Sequence, residues 1–282
     1  MLTLTELPEL RSRVAAWKQN GLRIGFVPTM GNLHDGHFAL IALAREHSDI
    51  VVASIFVNPT QFGPNEDYLR YPRTQQRDVD GLEAAGCDAA FLPSAEVMYP
   101  YGSKNCVQMH VPGITDILCG AHRPGHFNGV ATVVSRLFNM VQPDIAVFGR
   151  KDYQQLQVIR YMSHEMSFPV EIIPAPTLRE PSGLAMSSRN QYLSPEERRT
   201  AEEIHRTLQA MRDSYLQGAA VEQIEQQAIE CLESTGFEVD YAEIRSAELG
   251  RLARARNRKR VALIAARLGL TRLIDNIEFD SP

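Results

Sequence analysis

Ten consecutive residues, Pro28-Thr29-Met30-Gly31-Asn32-Leu33-His34-Asp35-Gly36-His37, combine two imidazoles with two glycines. They lie between a stretch that reads as a strand and one that reads as a helix. A helix start offers N–H groups without intrahelical partners and the positive end of a dipole. Gly31 and Gly36 remove side chains that would hold an anion away, so the segment suits a nucleotide phosphate. His34 and His37, three apart, share a helix face, and accessible imidazolium character near pH 7 suits His37 as a donor to phosphate. The plainer reading is a solvated helix cap or a pair of metal ligands, because H-x-x-H alone is a weak signal.

Other segments carry types that fit the same chemistry. Lys151 follows Phe148-Gly149-Arg150 at a strand end, where an ammonium on a glycine turn reaches β- and γ-phosphates; alone it reads as a surface lysine, and Asp152 beside it as a helix cap. Ser187, Ser188 and Arg189 make a hydroxyl-rich loop with one fixed cation, fit to grip and release pyrophosphate, or else a polar turn with a capping serine. Gln61, ending the strand Ile50–Val57, and Gln155, on the helix begun near Asp152, are neutral amides expected to face the strand ends, and Asn58 stands before Pro59 where a turn is favoured. For each of these amides alone, an ordinary hydrogen-bonding role is the plainer reading. His122 and His126 have Pro124 and Gly125 between them, which speaks against a metal-binding helical turn and for a structural or rim role.

His34-Asp35-Gly36-His37 resembles the H-x-G-H signature of a nucleotidyl-transferring, Rossmann-like superfamily that includes class I aminoacyl-tRNA synthetases and cytidylyltransferases. Six blocks in order over residues 28–190 resemble the pantothenate synthetase family more closely. They are Pro28 to His37, Phe56-Val57-Asn58-Pro59-Thr60-Gln61-Phe62, Tyr71-Pro72-Arg73-Thr74, His126-Phe127-Asn128-Gly129-Val130, Lys151-Asp152-Tyr153-Gln154-Gln155 and Met186-Ser187-Ser188-Arg189-Asn190. The resemblance implies an ATP-dependent joining of pantoate to β-alanine through a pantoyl-adenylate, with release of AMP and pyrophosphate. It further implies ATP contacts from Met30 to His37, from Gly149-Arg150-Lys151-Asp152, from Leu178 and from Met186-Ser187-Ser188-Arg189. His37 becomes the proton donor, His34 its neighbour at the α-phosphate, Asp152 an acceptor of a ribose hydroxyl, and Gln61, Gln155 and Asn58 the pantoate-binding residues. His34, His37, Lys151, Ser188 and Arg189 form the expected catalytic set. One position departs from the family's Phe-Gly-Glu-Lys-Asp: Arg150 replaces a carboxylate with a cation, and activity is expected to survive because Lys151 is kept.

Elementary chemistry supports the same set. A carboxylate is a poor electrophile, so amide formation needs its oxygen converted to a leaving group, which attack on the α-phosphate of ATP achieves. Such transfer asks mainly for positioning and for cationic and N–H donors around the phosphates. Neutral amides orient pantoate without tying its nucleophilic oxygen into an ion pair. ATP chemistry implies Mg²⁺, for which spacing identifies no protein ligand, and no base for the β-alanine ammonium identifies itself.

Leu7, Leu10, Val14 and Trp17 recur at helical spacing before Asn20-Gly21. A strand at 23–27, a helix at 36–46 and a β-branched strand at 50–57 make a parallel unit. The alternation continues with helix 73–85, strand 88–92, helix 129–141, strand 144–148, helix 152–166 and strand 170–174. The expected fold is α/β: a Rossmann-like, doubly wound parallel sheet whose ligand lies beyond the strands' carboxyl ends. Pro174, Pro176 and Pro181-Ser182-Gly183 mark a boundary near residue 176. Residues 1–176 are thus expected to bind ATP and pantoate, and 177–282 to form a smaller C-terminal α+β cap carrying the Met186–Asn190 loop, mobile enough to close over the nucleotide. There Ser194-Pro195-Glu196-Glu197 is a helix start, followed by helices 195–216 and 221–235 and strands 237–245, 260–266 and 272–279.

Composition bounds the rest. The 282 residues carry 29 Lys and Arg against 34 Asp and Glu, a net charge of -5, with 44% hydrophobic and 22% charged residues, which disfavours disorder and collagen-like repeats. The longest apolar stretch, Ile50–Val57, is far short of the ~20 residues that cross a bilayer, and Glu6 and Glu9 spoil a signal peptide. A pI near 5.9 disfavours a general grip on nucleic acid. The four cysteines are scattered, so reduced thiols in a cytoplasmic protein are expected; the resemblance adds a homodimer. Two alternatives stand beside this reading. A synthetase fragment or cytidylyltransferase would use the six basic residues of Arg251–Arg260 on nucleic acid, although a solvated turn between strands explains them better. A non-catalytic nucleotide sensor would be free to lose His37 or Lys151, and both are present. No G-x-x-x-x-G-K-[ST] or G-x-G-x-x-G occurs.

Overall fold

The computed structural model describes residues 1–64, 66, 68–252 and 258–281. Its elements begin β1 (Leu2–Leu4), α1 (Leu7–Gln19), β2 (Ile24–Thr29), α2 (Asp35–His47), β3 (Ile50–Ile55), α3 (Gln75–Ala84) and β4 (Ala89–Phe91). Short helices α4 (Ala95–Met98) and α5 (Cys119–His122) lead to α6 (His126–Val141), β5 (Ile145–Gly149), α7 (Tyr153–Glu165) and β6 (Glu171–Ala175). The β-branched run Ile50–Ile55 is a central strand because both faces are covered: Val51, Val52 and Ala53 are fully buried. Each Val or Ile so buried contributes roughly 1.5–3 kcal/mol.

The six strands form one sheet in the order β1-β4-β3-β2-β5-β6, parallel throughout. The chain runs outward from β2 through β3 to β4, then restarts on the other side of β2 with β5. The strand order therefore reverses between β2 and β5, whose carboxyl ends are Thr29 and Gly149. That is where an open α/β sheet leaves a crevice for a ligand, and it bears out the expected α/β class. Helix α2 packs Ile41 and Ala44 into the core with Val27, Val51 and Leu82. Its charges suit its dipole, with Asp35 in the first turn and Arg45 and His47 in the last.

The chain divides into two compact units. The first contains Met1–Arg150 and Val158–Pro176; Lys151–Gln157 groups with the chain from Thr177 onward in the second. In the second, α8 (Pro195–Ala201), α9 (Glu203–Leu216) and α10 (Val221–Ser234) precede an antiparallel sheet of β7 (Glu238–Ser246), β8 (Lys259–Leu268) and β9 (Thr271–Asp280). Ile204, Leu208, Ile224 and Leu232 from the helices meet Ile244 and Ile264 from the sheet in one core. Ser194 caps α8 as the sequence indicates: its hydroxyl accepts from the Glu197 N–H at 3.2 Å, and the Glu197 carboxylate accepts from the Ser194 N–H at 2.8 Å.

Several boundaries differ from the sequence reading. Strand β1 was not anticipated, because three residues show no period. The helix expected over 195–216 is interrupted by a turn at Glu202. The strand expected to reach Val57 stops at Ile55, so Gln61 ends a separate 3₁₀ turn, Pro59–Gln61, rather than the strand itself. Of the basic stretch Arg251–Arg260, residues 253–257 lie outside the described residues. Among the described residues no helix is long and apolar enough to cross a membrane.

Candidate active site

The segment after β2 is shaped by its glycine and by a buried carboxylate from α3. Gly31 has φ 80° and Asn32 φ 51°, a left-handed pair that turns the chain sharply. A Cβ on Gly31 would come within 3.0 Å of Asp78 Oδ2. Asp78, 2% exposed, accepts from the Asn32 N–H at 2.9 Å, the Leu33 N–H at 2.8 Å and the Thr74 hydroxyl at 3.1 Å. This clamp delivers His34 to the N-cap of α2. There His34 Nδ1 accepts from the Gly36 N–H at 3.1 Å, and His37 Nδ1 accepts from the His34 N–H at 3.4 Å. A backbone N–H can only donate, so each imidazole carries its proton on Nε2 and presents an N–H donor even when neutral. The rings lie 4.2 Å apart. The cap and the phosphate readings of this pair are thus compatible, because Nδ1 serves the helix cap while the proton stays on Nε2.

Gln61 is held from behind within the same unit. Its Oε1 accepts from Asn58 Nδ2 at 3.1 Å, and its Nε2 lies 2.8 Å from the Met30 thioether. Asn58, 1% exposed, also donates to the Gly129 carbonyl at 3.1 Å. Its oxygen accepts from the Tyr99 hydroxyl at 2.7 Å, from the Thr60 hydroxyl at 3.0 Å and from the Thr60 N–H at 3.3 Å. Burial pushes the Tyr99 phenol above its ordinary value, so it keeps its proton. The Gln61 carbonyl accepts from His126 Nδ1 at 2.8 Å; His126 Nε2 accepts in turn from Arg123 at 3.0 Å, and Arg123 forms a two-point ion pair with Glu66. Both ring nitrogens of His126 are thus engaged within the protein. Helix α6 comes this close only because residue 129 is glycine: a Cβ there would lie 2.7 Å from the Gln61 nitrogen.

At the end of β5, Gly149 has an ordinary φ, and a Cβ built on it would meet nothing within 4 Å. Neither fold nor packing demands glycine there. Arg150 opens a 3₁₀ turn, Arg150–Asp152. In the second unit the Lys151 carbonyl accepts from Asn276 Nδ2 at 2.9 Å, and Lys151 Nζ lies 3.7 Å from Asp152 Oδ1. Tyr153 ties the start of α7, which carries Gln155, to the Ala247 carbonyl at 2.9 Å and to Glu278 at 3.0 Å.

The Ser187–Arg189 loop follows a tight hairpin. Met186 N–H donates to the Leu178 carbonyl at 3.0 Å, and Gly183 turns the chain with φ 95°. Arg179 anchors the hairpin by a two-point pair with Asp275, the longer bond at 3.0 Å, and by a bond to the Gly183 carbonyl at 3.0 Å. Asn190 Nδ2 donates to Glu180 at 3.2 Å, and Arg198 reaches the same carboxylate at 2.6 Å. Ser187 caps the 3₁₀ helix Ser188–Tyr192, accepting from the Arg189 N–H at 3.2 Å.

Sequence reasoning missed Asp78, Tyr99, Glu66 and Asp275. Each holds a recognised motif from 41 to 96 positions away in the chain, a separation that leaves no local pattern. All four cysteines are free thiols, and burial pushes the Cys87 thiol up to about 11, which makes it inert near neutrality. Among the described residues no group of three or more His, Cys, Asp or Glu side chains could hold a metal ion.

Comparison with known proteins completes the assignment. The chain is 60% identical to a pantothenate synthetase of Stenotrophomonas maltophilia and 57% identical to one of Xanthomonas oryzae, each over 98% of this chain and 99% of the relative. A Thermus thermophilus pantothenate synthetase superposes with a TM-score of 0.89 at 47% identity, covering 98% of this chain and 99% of that one. A pantoate–β-alanine ligase of Francisella tularensis, solved in complex with beta-gamma ATP and beta-alanine, gives 0.81 at 36% identity, covering 98% and 97%. With the family model for pantoate–β-alanine ligases matching residues 2–278, the chain belongs to that family.

Proposed function

We propose that this enzyme condenses (R)-pantoate with β-alanine in two steps that use ATP. In the first, a pantoate carboxylate oxygen attacks the α-phosphorus, an oxygen–phosphorus bond forms, and the bond to pyrophosphate breaks. In the second, the β-alanine amine attacks the acyl carbon, the amide forms, AMP departs, and solvent takes the ammonium protons. The observation that carries this reading is the pair of histidines at the α2 N-cap, each accepting at Nδ1 and therefore donating from Nε2. Supporting it are the position of Gly149 at the strand-order reversal and a family relative solved with beta-gamma ATP and beta-alanine.

In this reading His37 and His34 donate to the phosphates. Lys151, Ser188 and Arg189 stabilise charge on the β- and γ-phosphates and the departing pyrophosphate. Met30–His37, Gly149, Arg150, Leu178, Met186 and Ser187 bind the nucleotide, Asp152 takes a ribose hydroxyl, and Gln61, Gln155 and Asn58 serve pantoate. Asn32 and Leu33 N–H groups are engaged by Asp78, so phosphate donors on this loop come chiefly from the imidazoles. Mg²⁺ bound with the triphosphate would neutralise part of its charge. The reading includes a cytoplasmic homodimer, checked by a sedimentation mass of twice 31.6 kDa.

The test is pyrophosphate release from ATP, Mg²⁺ and pantoate, before and after β-alanine is added. Pantoate-dependent pyrophosphate, with AMP and pantothenate appearing only after β-alanine, is the expected result, and His37→Ala should slow it at least 100-fold, on the order of a positioned proton donor. ADP and phosphate would mean an acyl-phosphate route and overturn the proposal. No turnover by folded protein would favour a nucleotide sensor.

A further inference from the structure

The sense of a side-chain amide is set by its partners, and at Asn58 they all agree on one sense. The Thr60 N–H can only donate, so it faces the Asn58 oxygen; the Gly129 carbonyl can only accept, so it faces the nitrogen. The second hydrogen of Nδ2 then points at Gln61 and requires an acceptor there, which fixes Gln61 Oε1 inward and leaves Nε2 as its other end. Among the described residues Nε2 meets the Met30 sulfur, a weak acceptor that a substrate oxygen would readily replace. The Tyr99 hydroxyl makes the shortest of the bonds that hold Asn58 in this sense, and it comes from a separate part of the chain.

We propose that Tyr99 is a positioning residue which, acting through Asn58, locks the Gln61 amide with its Nε2 hydrogens toward the substrate, so that the site selects an acid with acceptor oxygens at that point. This rests on the reading of Gln61 as a pantoate-binding residue. Without the Tyr99 bond the longer contacts to Thr60 and Gly129 hold Asn58 less firmly, and Gln61 can rotate and turn its own oxygen toward a carboxylate or hydroxyl oxygen, replacing attraction by repulsion. Asn58 then serves pantoate indirectly, since its donors and acceptor are already engaged by protein.

Tyr99→Phe removes one oxygen and keeps the ring, which packs 6.2 Å from Phe56 and lies beneath Arg136. The variant should raise the KM for pantoate about tenfold, the effect of losing one buried hydrogen bond, while the KM for ATP stays within about twofold. Placed in a Gln61→Ala background, Tyr99→Phe should change the pantoate KM by less than about twofold, because the group it orients is gone. An equal loss in both backgrounds, or an equal rise in the KM for ATP, would show a general structural effect and overturn the inference. A second readout does not depend on turnover. In ligand-free, ¹⁵N-labelled protein, the side-chain amide signals of Asn58 and Gln61, assigned by substitution, should both move in Tyr99→Phe. A Gln61 signal that stays in place sinks the lock whatever the assay gives, whereas a moved signal in a protein that does not turn over pantoate keeps the lock and overturns the function.

Discussion

Gly149 shows how a residue's purpose can be separated from the needs of the fold. Most of the left-handed glycines are demanded by backbone conformation, and Gly129 by the closeness of α6 to the Pro59–Gln61 turn. Gly149 has neither reason, yet it sits at the carboxyl end of β5 beside the reversal of strand order. If a phosphate approaches its backbone, Gly149→Ala should leave thermal stability unchanged, or raise it by about 0.4–1 kcal/mol through the unfolded chain. The same variant should raise the KM for ATP by about tenfold or more, because the methyl occupies the approach path. Calorimetric unfolding together with ATP-dependent kinetics checks both. A stable variant with unaltered ATP kinetics would remove Gly149 from the nucleotide site.

At the scale of elements, the candidate active-site loop is a product of α3 as much as of its own sequence. Asp78 accepts two backbone N–H bonds from a loop 45 and 46 residues earlier and is almost wholly buried. Asp78→Asn keeps the shape but sets an NH₂ group against N–H donors, leaving at least one unsatisfied. The expected loss is about 1–3 kcal/mol of stability, with a fall in kcat larger than the change in the KM for pantoate, since His34 and His37 lose their fixed start. Urea unfolding and steady-state kinetics test this; a variant as stable and active as the parent would show that the loop holds its turn unaided. The same case explains what was legible in the sequence. Ile50–Ile55 and Ser194-Pro195-Glu196-Glu197 announce themselves because period and capping are local. The candidate segment His34-Asp35-Gly36-His37 also announces itself, because imidazoles and glycine stand together in it. Asp78 and Tyr99 were hidden, since their partners adjoin them only after the sheet has formed. Gln61 was misplaced onto the end of β3 because Asn58-Pro59 starts a 3₁₀ turn that hydrophobic pattern does not reveal.

For the whole molecule, acid stability should be governed by different groups in different pH windows. In the second unit, His205 lies against Gly183 and 3.9 Å from Asp275, with Arg179 and Arg212 nearby. Burial first, then the Arg179 charge, holds its imidazole below the ordinary value of about 6.5, and the Asp275 charge only partly offsets them. Above that value His205 is neutral in both folded and unfolded chains and gives no pH dependence. As pH falls below it, the unfolded chain takes up the proton first, so stability drops until the folded pKa is also passed. In the first unit, burial pushes Glu66 up, but hydrogen bonding and charge from Arg123 outweigh it and hold the carboxyl low. Its contribution is present above the ordinary carboxylate value of about 4.3 and is lost as pH falls through the folded value, a separate and more acidic window. Glu225 acts oppositely: burial raises its carboxyl, so protonation between the raised value and about 4.3 favours the folded chain. Urea midpoints at pH 7.5 and 5.5 should therefore differ with the lower pH less stable, and His205→Gln should narrow that difference while leaving the decline below pH 4 in place. An undiminished difference in His205→Gln would assign the loss near pH 6 to another group.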